Sequence, residues 1–273
     1  MALLNGKVGI VGATGAVGEE LIRLFEEEGL RPKELRLMAS ARSVGKSLKV
    51  HGKDHPLLEA NHENMKGLDV ALFMATSDIA KELALPAAKA GTVCIDNSSA
   101  FRMDPGVPLV IPEINPQHLE GHGNIIANPN CSTIILLMPL APLHRTWKVR
   151  RVVVSTYQAA SGAGLPAMEE LKAQARDVLD GKPAVAKVFK HPLAFNLFSH
   201  DSDMADNGFN GEENKVVAES RKILGEPTLD IVPTCVRVPV LRAHTESVVA
   251  TFEKAPNVEE ARRILSKSPG VEV

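Results

Sequence analysis

The sequence is poor in cysteine, balanced in charge and without any long apolar run. Three cysteines in 273 residues cannot form a disulfide framework, so a reducing compartment is the default and a cytoplasmic protein is expected. Lys and Arg number 31 against 33 Asp and Glu, a formal net charge of -2. That leaves no basic surplus for nucleic acid and no polybasic cluster for an anionic membrane surface. No stretch approaches the roughly 20 apolar residues that a membrane helix needs. The first strand begins near Lys7, which leaves no room for a signal or transit peptide. Repeats, low-complexity linkers and charged tails are also missing. What remains is an ordinary globular composition, long enough for two domains at roughly 150 residues each.

The first ~130 residues alternate strand and helix patterns. Lys7–Val11 is a short apolar strand, and Val17, Leu21, Leu24 and Phe25 behind it fall on one helical stripe. Further strands are expected at Leu35–Ala39, Val70–Ala75 and Thr92–Asp96, with a helix over Asp78–Ala90 kinked at Pro86. Strands separated by helices imply a right-handed parallel sheet with helices on both faces. After Asn130 the rhythm changes. Cys131–Leu140 reads as an apolar helix broken near Pro139 and Pro142, followed by a β-branched strand at Arg151–Tyr157 and a loop over Gln158–Pro166. Met168, Leu171, Ala175, Val178 and Leu179 share a helical face. Leu229–Val240 and Ser247–Phe252 read as strands, with Pro233 and Pro239 suggesting edges or bends. Strands without intervening helices predict a mixed or antiparallel second sheet.

Three motifs carry chemistry. Gly12-Ala13-Thr14-Gly15-Ala16-Val17-Gly18 closes a strand and opens a helix. Glycines there allow a tight turn and close approach of backbone N–H groups to a phosphate, and the helix N-terminus adds a partial positive charge. A plain glycine-rich turn is the alternative. At the end of the second strand, Ser40-Ala41-Arg42-Ser43 offers hydroxyls and a guanidinium where NAD-specific sites carry an acid. That set suits a 2′-phosphate, hence NADP, unless it is simply a solvated basic loop. Third, Asn128-Pro129-Asn130-Cys131-Ser132-Thr133 places a thiol at a helix start, where the helix dipole favours the nucleophilic thiolate. Cys94 and Cys235, inside apolar strands, read as packing thiols. Of nine histidines, His51, His55, His62, His118 and His122 lie in polar stretches, whereas His244 follows a strand and two arginines, Arg237 and Arg242. Arg102 follows the strand at Thr92–Asp96, at the sheet end where ligands collect. Glu212 and Lys215 are spaced i, i+3 on a helix, a pair that could hold an amino group and a phosphate at once but without context reads as a surface ion pair.

Together these residues resemble the bacterial aspartate-semialdehyde dehydrogenases. The stretches VGATGAVG, SARSVGKS, DNSSAFR, NPNCST, STYQAASGAG, GEENK and RVPVLRAH occur in that family's order. The resemblance implies an α/β chain: a Rossmann-type NADP-binding domain over 1–129, then an α+β catalytic and dimerisation domain with a mixed sheet over 130–273. It implies NADP-dependent reductive dephosphorylation of 4-phospho-L-aspartate to L-aspartate 4-semialdehyde, toward lysine, threonine, methionine and diaminopimelate. By motif, Cys131 is the nucleophile that becomes a thioester, His244 the general acid/base, and Gln158 the residue that orients substrate or thioester. Arg102 and Lys215 are expected to bind phosphate, Arg237 the substrate α-carboxylate and Glu212 its α-amino group. Gly12, Thr14, Gly15, Ala16 and Val17 are expected at the pyrophosphate, Ser40, Arg42 and Ser43 at the 2′-phosphate, and Ser161 and Gly162 beside the nicotinamide.

The expected partners are a small-molecule substrate, inorganic phosphate and a second copy in a homodimer, or a tetramer built from it. No metal is expected. Family members run past Val273 through another strand and a long helix carrying an Asn-Arg-x-Gly-x-Ala-type stretch, so the second domain is expected to be incomplete. Two rivals share much of this pattern. One is an N-acetylglutamyl-phosphate reductase-like enzyme, against which Glu212 argues because an acetylated amine carries no charge to pair. The other is a truncated, non-catalytic NADP-binding form, against which the retained Cys131, Gln158, Arg237 and His244 argue.

Overall fold

The computed structural model describes residues 3–273, which divide into a first unit reaching Val110 and including Gln117–Pro129, and a second of Ile111–Pro116 and Asn130–Val273. The first holds strands β1 (Lys7–Val11), β2 (Glu34–Ala39), β3 (Ser47–Val50), β4 (Lys53–Glu59), β5 (Val70–Phe73), β6 (Val93–Asp96) and β7 (Ile125–Ala127). Its helices are α1 (Ala16–Glu27), the single-turn α2 (His62–Met65) and α3 (Ser77–Lys89). The sheet order is β3-β4-β2-β1-β5-β6-β7, and every pairing is parallel except β3 with β4. Apolar residues alternate to both faces of the central strands. Val11, Met38 and Phe73 pack with Leu83 of α3, while Val8, Ile10 and Leu37 pack with Ile22 and Phe25 of α1. A sheet covered on both faces buries continuous apolar runs, which is why β1 and β5 were readable as strands. Chain direction across the sheet reverses at β1, so its carboxyl end is a topological switch point.

The sequence reading needs three corrections here. The parallel sheet carries an antiparallel edge hairpin, β3–β4, whose turn residues His51 and Gly52 take φ of 50° and 75°. Two positive φ values suit the twist of a tight hairpin. The inward stripe of α1 is Gly18, Ile22 and Phe25, while Val17 and Leu24 are exposed. Gly18 faces inward because a Cβ there would lie 2.3 Å from Gly12 O; that contact sets the rotation of the helix. Helix α3 spans Pro86, in agreement with the expected helix over Asp78–Ala90. Helix α4 (Cys131–Trp147) likewise runs through Pro139 and Pro142. Each proline forfeits one backbone bond, but Leu136, Leu137, Leu140 and Ala141 are buried, and that burial keeps the helix whole.

The second unit holds α4, strand β8 (Val149–Gln158), α5 (Leu165–Leu179), the two-residue β9 (Phe198–Ser199), α6 (Gly211–Leu224), β10 (Asp230–Arg237), β11 (Thr245–Phe252) and α7 (Val258–Leu265). Its sheet order is β11-β8-β10-β9, mixed as expected: β10 runs parallel to β8, and β11 and β9 run antiparallel to their neighbours. Pro233 is tolerated because β9 pairs with β10 only at Val236 and Arg237, leaving the proline's side of the strand unpaired. On α5 the expected stripe fails at its end. Val178 and Leu179 are exposed, and the buried position goes to Gln174, whose Oε1 accepts from the Leu193 and Ala194 N–H groups. Along β8, Val152, Val154, Thr156 and Gln158 point inward and Val153 and Tyr157 outward, so Gln158 ends the row that faces α4 and α6.

One inward residue is out of place electrostatically. Glu246 on β11, opposite Thr156, has both carboxylate oxygens buried without a hydrogen-bond partner. Burial pushes its pKa up to about 8. Between the unfolded value near 4.5 and 8, the native state therefore holds a proton that the unfolded chain has released, so stability falls as pH rises through that window. Glu246→Gln is expected to leave stability unchanged near pH 4 and to gain on the order of a few kcal/mol by pH 8. Urea unfolding at both pH values tests this. A gain equal at the two pH values would remove the ionisation argument.

Candidate active site

In the first unit, Gly12 has φ of +88°, and a Cβ there would lie 2.3 Å from Met74 O. Only glycine fits. Gly15 is the N-cap of α1 and no side chain caps this helix end, so the first-turn N–H groups around Ala16 and Val17 suit a phosphate. Thr14 lies in the same turn. Ser40, Arg42 and Ser43 follow directly on β2, with Ala41–Ser43 in a 3-10 turn and Arg42 exposed. The donor set there is hydroxyl and guanidinium, with no carboxylate in that turn. This cradle fits a dinucleotide carrying a 2′-phosphate. Arg102 is buried, and the carbonyls of Asn128 and Asn97 accept from its Nε and Nη2 at 2.9 and 2.8 Å.

The second unit gathers the remaining residues. Cys131 is the first residue of α4, exposed and outside any disulfide. Its predecessor Asn130 caps the helix, the side-chain Oδ1 accepting from Ser132 N at 2.9 Å and Thr133 N at 3.3 Å. Two carboxylates hold Asn130 in turn: Glu219 Oε2 accepts from its backbone N–H at 2.6 Å, and Glu212 Oε1 from its Nδ2 at 2.8 Å. Gln158 donates through Nε2 to Ser132 Oγ at 2.8 Å and to Glu212 Oε1 at 3.3 Å. Lys215 Nζ reaches Glu212 Oε2 at 3.2 Å. The Glu212–Lys215 spacing therefore is not a surface pair, since Glu212 is buried. Burial alone would raise its pKa, but Lys215, Asn130 and His200 outweigh that and hold it below the usual carboxylate range.

His244 follows Ala243, a non-glycine residue at φ of 69°, a conformation that costs on the order of 1 kcal/mol and clusters at functional sites. Its Nδ1 accepts from the Ala159 N–H at 3.0 Å, so the neutral ring carries its hydrogen on Nε2. Burial first, and Arg237 second, push its pKa below 6.5. Arg237 ends β10, buried, with its guanidinium 5.3 Å from the Phe189 ring centre. A Cβ on Gly162 would lie 3.1 Å from both Arg237 Nη1 and His244 Nε2. Gly162 and Ser161 belong to the 3-10 turn Ala160–Ala163, whose Ala160 and Ser161 N–H groups bond Val240 O and Leu241 O. That turn lies in the stretch expected as loop. Glycine at 162 thus keeps open the space between the Arg237 guanidinium and the His244 imidazole.

Sequence reasoning missed Asn130 as the hub, Glu219 beside it, and His200, Asp201 and Phe189 around Arg237. Glu219 had a readable signal: it stands seven residues after Glu212, on the same helical face. His200 had none, because its loop is remote in sequence from β10. Cys94 and Cys235 are buried, and burial pushes both thiols up to about 12. Among the described residues no cluster of His, Cys, Asp or Glu could hold a metal, and no helix is long and apolar enough to cross a membrane.

A phosphate cradle on a parallel sheet in the first unit, and in the second an exposed helix-start thiol together with His244 and Arg237 meeting at Gly162, are the groups expected of a thiol-type, dinucleotide-dependent dehydrogenase. Family models agree in both halves: the semialdehyde dehydrogenase NAD-binding domain matches residues 7–122 and the semialdehyde dehydrogenase dimerisation domain residues 140–273. An aspartate-semialdehyde dehydrogenase of Synechocystis sp. is 48% identical over 267 residues, 98% of this chain and 79% of that protein. One of Bacillus subtilis is 39% identical over 97% of this chain and 79% of its own length. Among solved structures, aspartate-semialdehyde dehydrogenase II of Vibrio cholerae complexed with ASA superposes with a TM-score of 0.94 at 39% identity, covering 97% of this chain and 80% of that one. The Candida albicans enzyme with NADP gives 0.72 at 27% identity, covering 96% and 76%. The chain belongs to the aspartate-semialdehyde dehydrogenase family.

Proposed function

We propose that the protein is a cytoplasmic, NADP-dependent aspartate-semialdehyde dehydrogenase that converts 4-phospho-L-aspartate, NADPH and a proton to L-aspartate 4-semialdehyde, NADP and inorganic phosphate. The observation that carries this reading is the single hydrogen-bonded cluster joining the start of α4, Gln158, Glu212 and Lys215, with His244 and Arg237 meeting at Gly162. Cys131 attacks the acyl-phosphate carbon, the carbon–oxygen bond to phosphate breaks, and a thioester forms on sulfur. Arg102 and Lys215 hold the departing phosphate. Gln158, fixed through Ser132 and Glu212, orients the carbonyl next to the thiol. The Gly12–Val17 turn and the Ser40–Ser43 loop would hold NADPH, with Ser161 and Gly162 the residues proposed beside the nicotinamide, and the cofactor would supply the hydride that a thioester can accept. His244 holds a proton at Nε2 for the former carbonyl oxygen and takes it back as the aldehyde leaves.

Arg237 is the clamp for the α-carboxylate, because a guanidinium offers two parallel donors. Glu212, ionised and buried, faces the α-amino group, which an N-acetylated substrate would lack. A homodimer fits the outer face of the second sheet, where Val153, Tyr157 and Val249 are exposed in a row that alternates with the core. Isolated β-sheet faces of this kind on a soluble chain mark interfaces.

The test runs the reaction backwards, following NADPH formation from L-aspartate 4-semialdehyde and NADP with and without inorganic phosphate. Reduction that requires phosphate is expected. A folded chain that binds NADP and forms no NADPH would overturn the reading.

A further inference from the structure

We propose that His200 is a positioning residue for this reaction: its neutral imidazole aims the Arg237 guanidinium at the substrate carboxylate. The inference rests on Arg237 being the carboxylate clamp. Arg237 is buried, yet among the described residues its guanidinium makes one hydrogen bond, from Nη2 to His200 Nε2 at 2.9 Å. Its Nε lies 3.6 Å from Asp201 Oδ1, close enough for an ion pair and too far for a hydrogen bond. The ring of Phe189 lies against the guanidinium. A buried arginine normally finds a carboxylate in direct contact. Here the direct contact is an uncharged acceptor, so the guanidinium keeps its charge and its Nη1 side for a ligand at Gly162.

The direction of the His200–Arg237 bond follows from the donor inventory. Arginine is always protonated and can only donate. Nε2 therefore accepts, and the neutral ring carries its hydrogen on Nδ1, donated to Ser202 Oγ at 3.0 Å. The Ser202 N–H, 3.2 Å from the same nitrogen, is the contact this tautomer gives up. Burial first and Arg237 second, with a smaller push from Lys215, outweigh Glu212 and Asp201, which favour the cation, and bring its pKa down to about 4, so the ring is neutral in the working range.

His200 is also well anchored. Its backbone N–H bonds Cys235 O on β10 at 2.8 Å, which registers it against the strand that ends in Arg237. Ser202 Oγ accepts from the Glu212 N–H at 3.1 Å and lies 3.4 Å from Asn210 Oδ1, the cap of α6. One imidazole thus ties the carboxylate clamp to the helix turn carrying the amino-group partner. A carboxylate at position 200 would instead neutralise Arg237 and compete with the substrate.

The experiment compares kcat and KM for L-aspartate 4-semialdehyde and for 3-aminopropanal, the same molecule without its carboxylate, in the native protein and four variants. His200→Leu is expected to lower kcat/KM for the semialdehyde about 10- to 100-fold, mainly through KM, the range for a lost hydrogen bond to a charged group. It should leave 3-aminopropanal unchanged. His200→Gln, whose amide reaches the Nε2 position, is expected to recover most of the loss, and His200→Asn, which reaches only Nδ1, is not. The Gln and Asn pair decides the matter even if the leucine variant fails to fold. Equal losses for both substrates, or no difference between Gln and Asn, would overturn the positioning role. Arg237→Lys separates the two claims. If it leaves the preference for the carboxylated substrate intact, the clamp reading itself fails; if it abolishes the preference while His200→Leu does not, only the role of His200 fails.

Discussion

Cys131→Ser is expected to reduce phosphate-dependent NADPH formation by roughly a thousandfold or more, the scale on which covalent nucleophiles are lost. The serine hydroxyl is almost wholly protonated at neutral pH, and an oxygen ester is a poorer hydride acceptor than a thioester. The chain should otherwise be unharmed, since Cys131 is exposed at the first position of α4 and the Asn130 cap does not involve its sulfur. Iodoacetamide gives an independent measure. Cys94 and Cys235 are buried and their thiols sit near pH 12, so one equivalent should label the native chain, at Cys131, and none the serine variant. Residual turnover above about 1% of native in a folded serine variant would mean that the thiol is not the nucleophile.

How much of this was legible in the sequence depends on the range of the interaction. The Gly12–Gly18 turn was readable because its causes are local: a strand end, a helix start and Gly18, at which a Cβ would strike the Gly12 carbonyl. Cys131 was readable for the same reason. Buried strands β1, β5 and β6 showed as apolar runs. By contrast, the β3–β4 hairpin has an exposed, charged composition whose only signal is the His51-Gly52 turn. The α4 prolines misled because local propensity was outweighed by burial of Leu136, Leu137 and Leu140. The rotation of α1 followed from a contact between Gly18 and Gly12 O that the hydrophobic pattern does not encode. The Glu212–Lys215 pair looked like solvent chemistry because the sequence does not show Asn130 and Gln158, 82 and 54 positions away, closing over the carboxylate. His200 was invisible for that same reason. Residues whose roles are made by distant partners required the fold, and these are the ones that shape the second half of the site.

Replacing His244 by glutamine is expected to lower kcat by roughly 10²- to 10⁴-fold, the usual contribution of a positioned general acid/base. The amide can accept from the Ala159 N–H as Nδ1 does, but it cannot exchange a proton near neutrality. The pH profile is the more searching measurement. In the native chain, burial and then the neighbouring Arg237 cation disfavour imidazolium, while Glu212 partly opposes them, and the balance lies below 6.5. Aldehyde oxidation needs the neutral ring as base at Nε2, which requires its hydrogen to pass to Nδ1 and the bond from the Ala159 N–H to open. Its rate should therefore hold as pH falls through 6.5 and drop only below it, as the imidazole takes up its proton. In His244→Gln that acid limb should vanish from kcat, leaving a low, flatter profile. Moving the cation gives a directional check: Arg237→Met removes a positive neighbour, so the limb should shift upward toward 6.5, because imidazolium then costs less. Stability follows the same sign, since the unfolded chain binds a proton at His244 near pH 6 that the native site refuses, so this residue makes the fold less stable as pH falls through that region. A limb that survives unchanged in His244→Gln belongs to another group, and His244 would then be removed from the proton transfer.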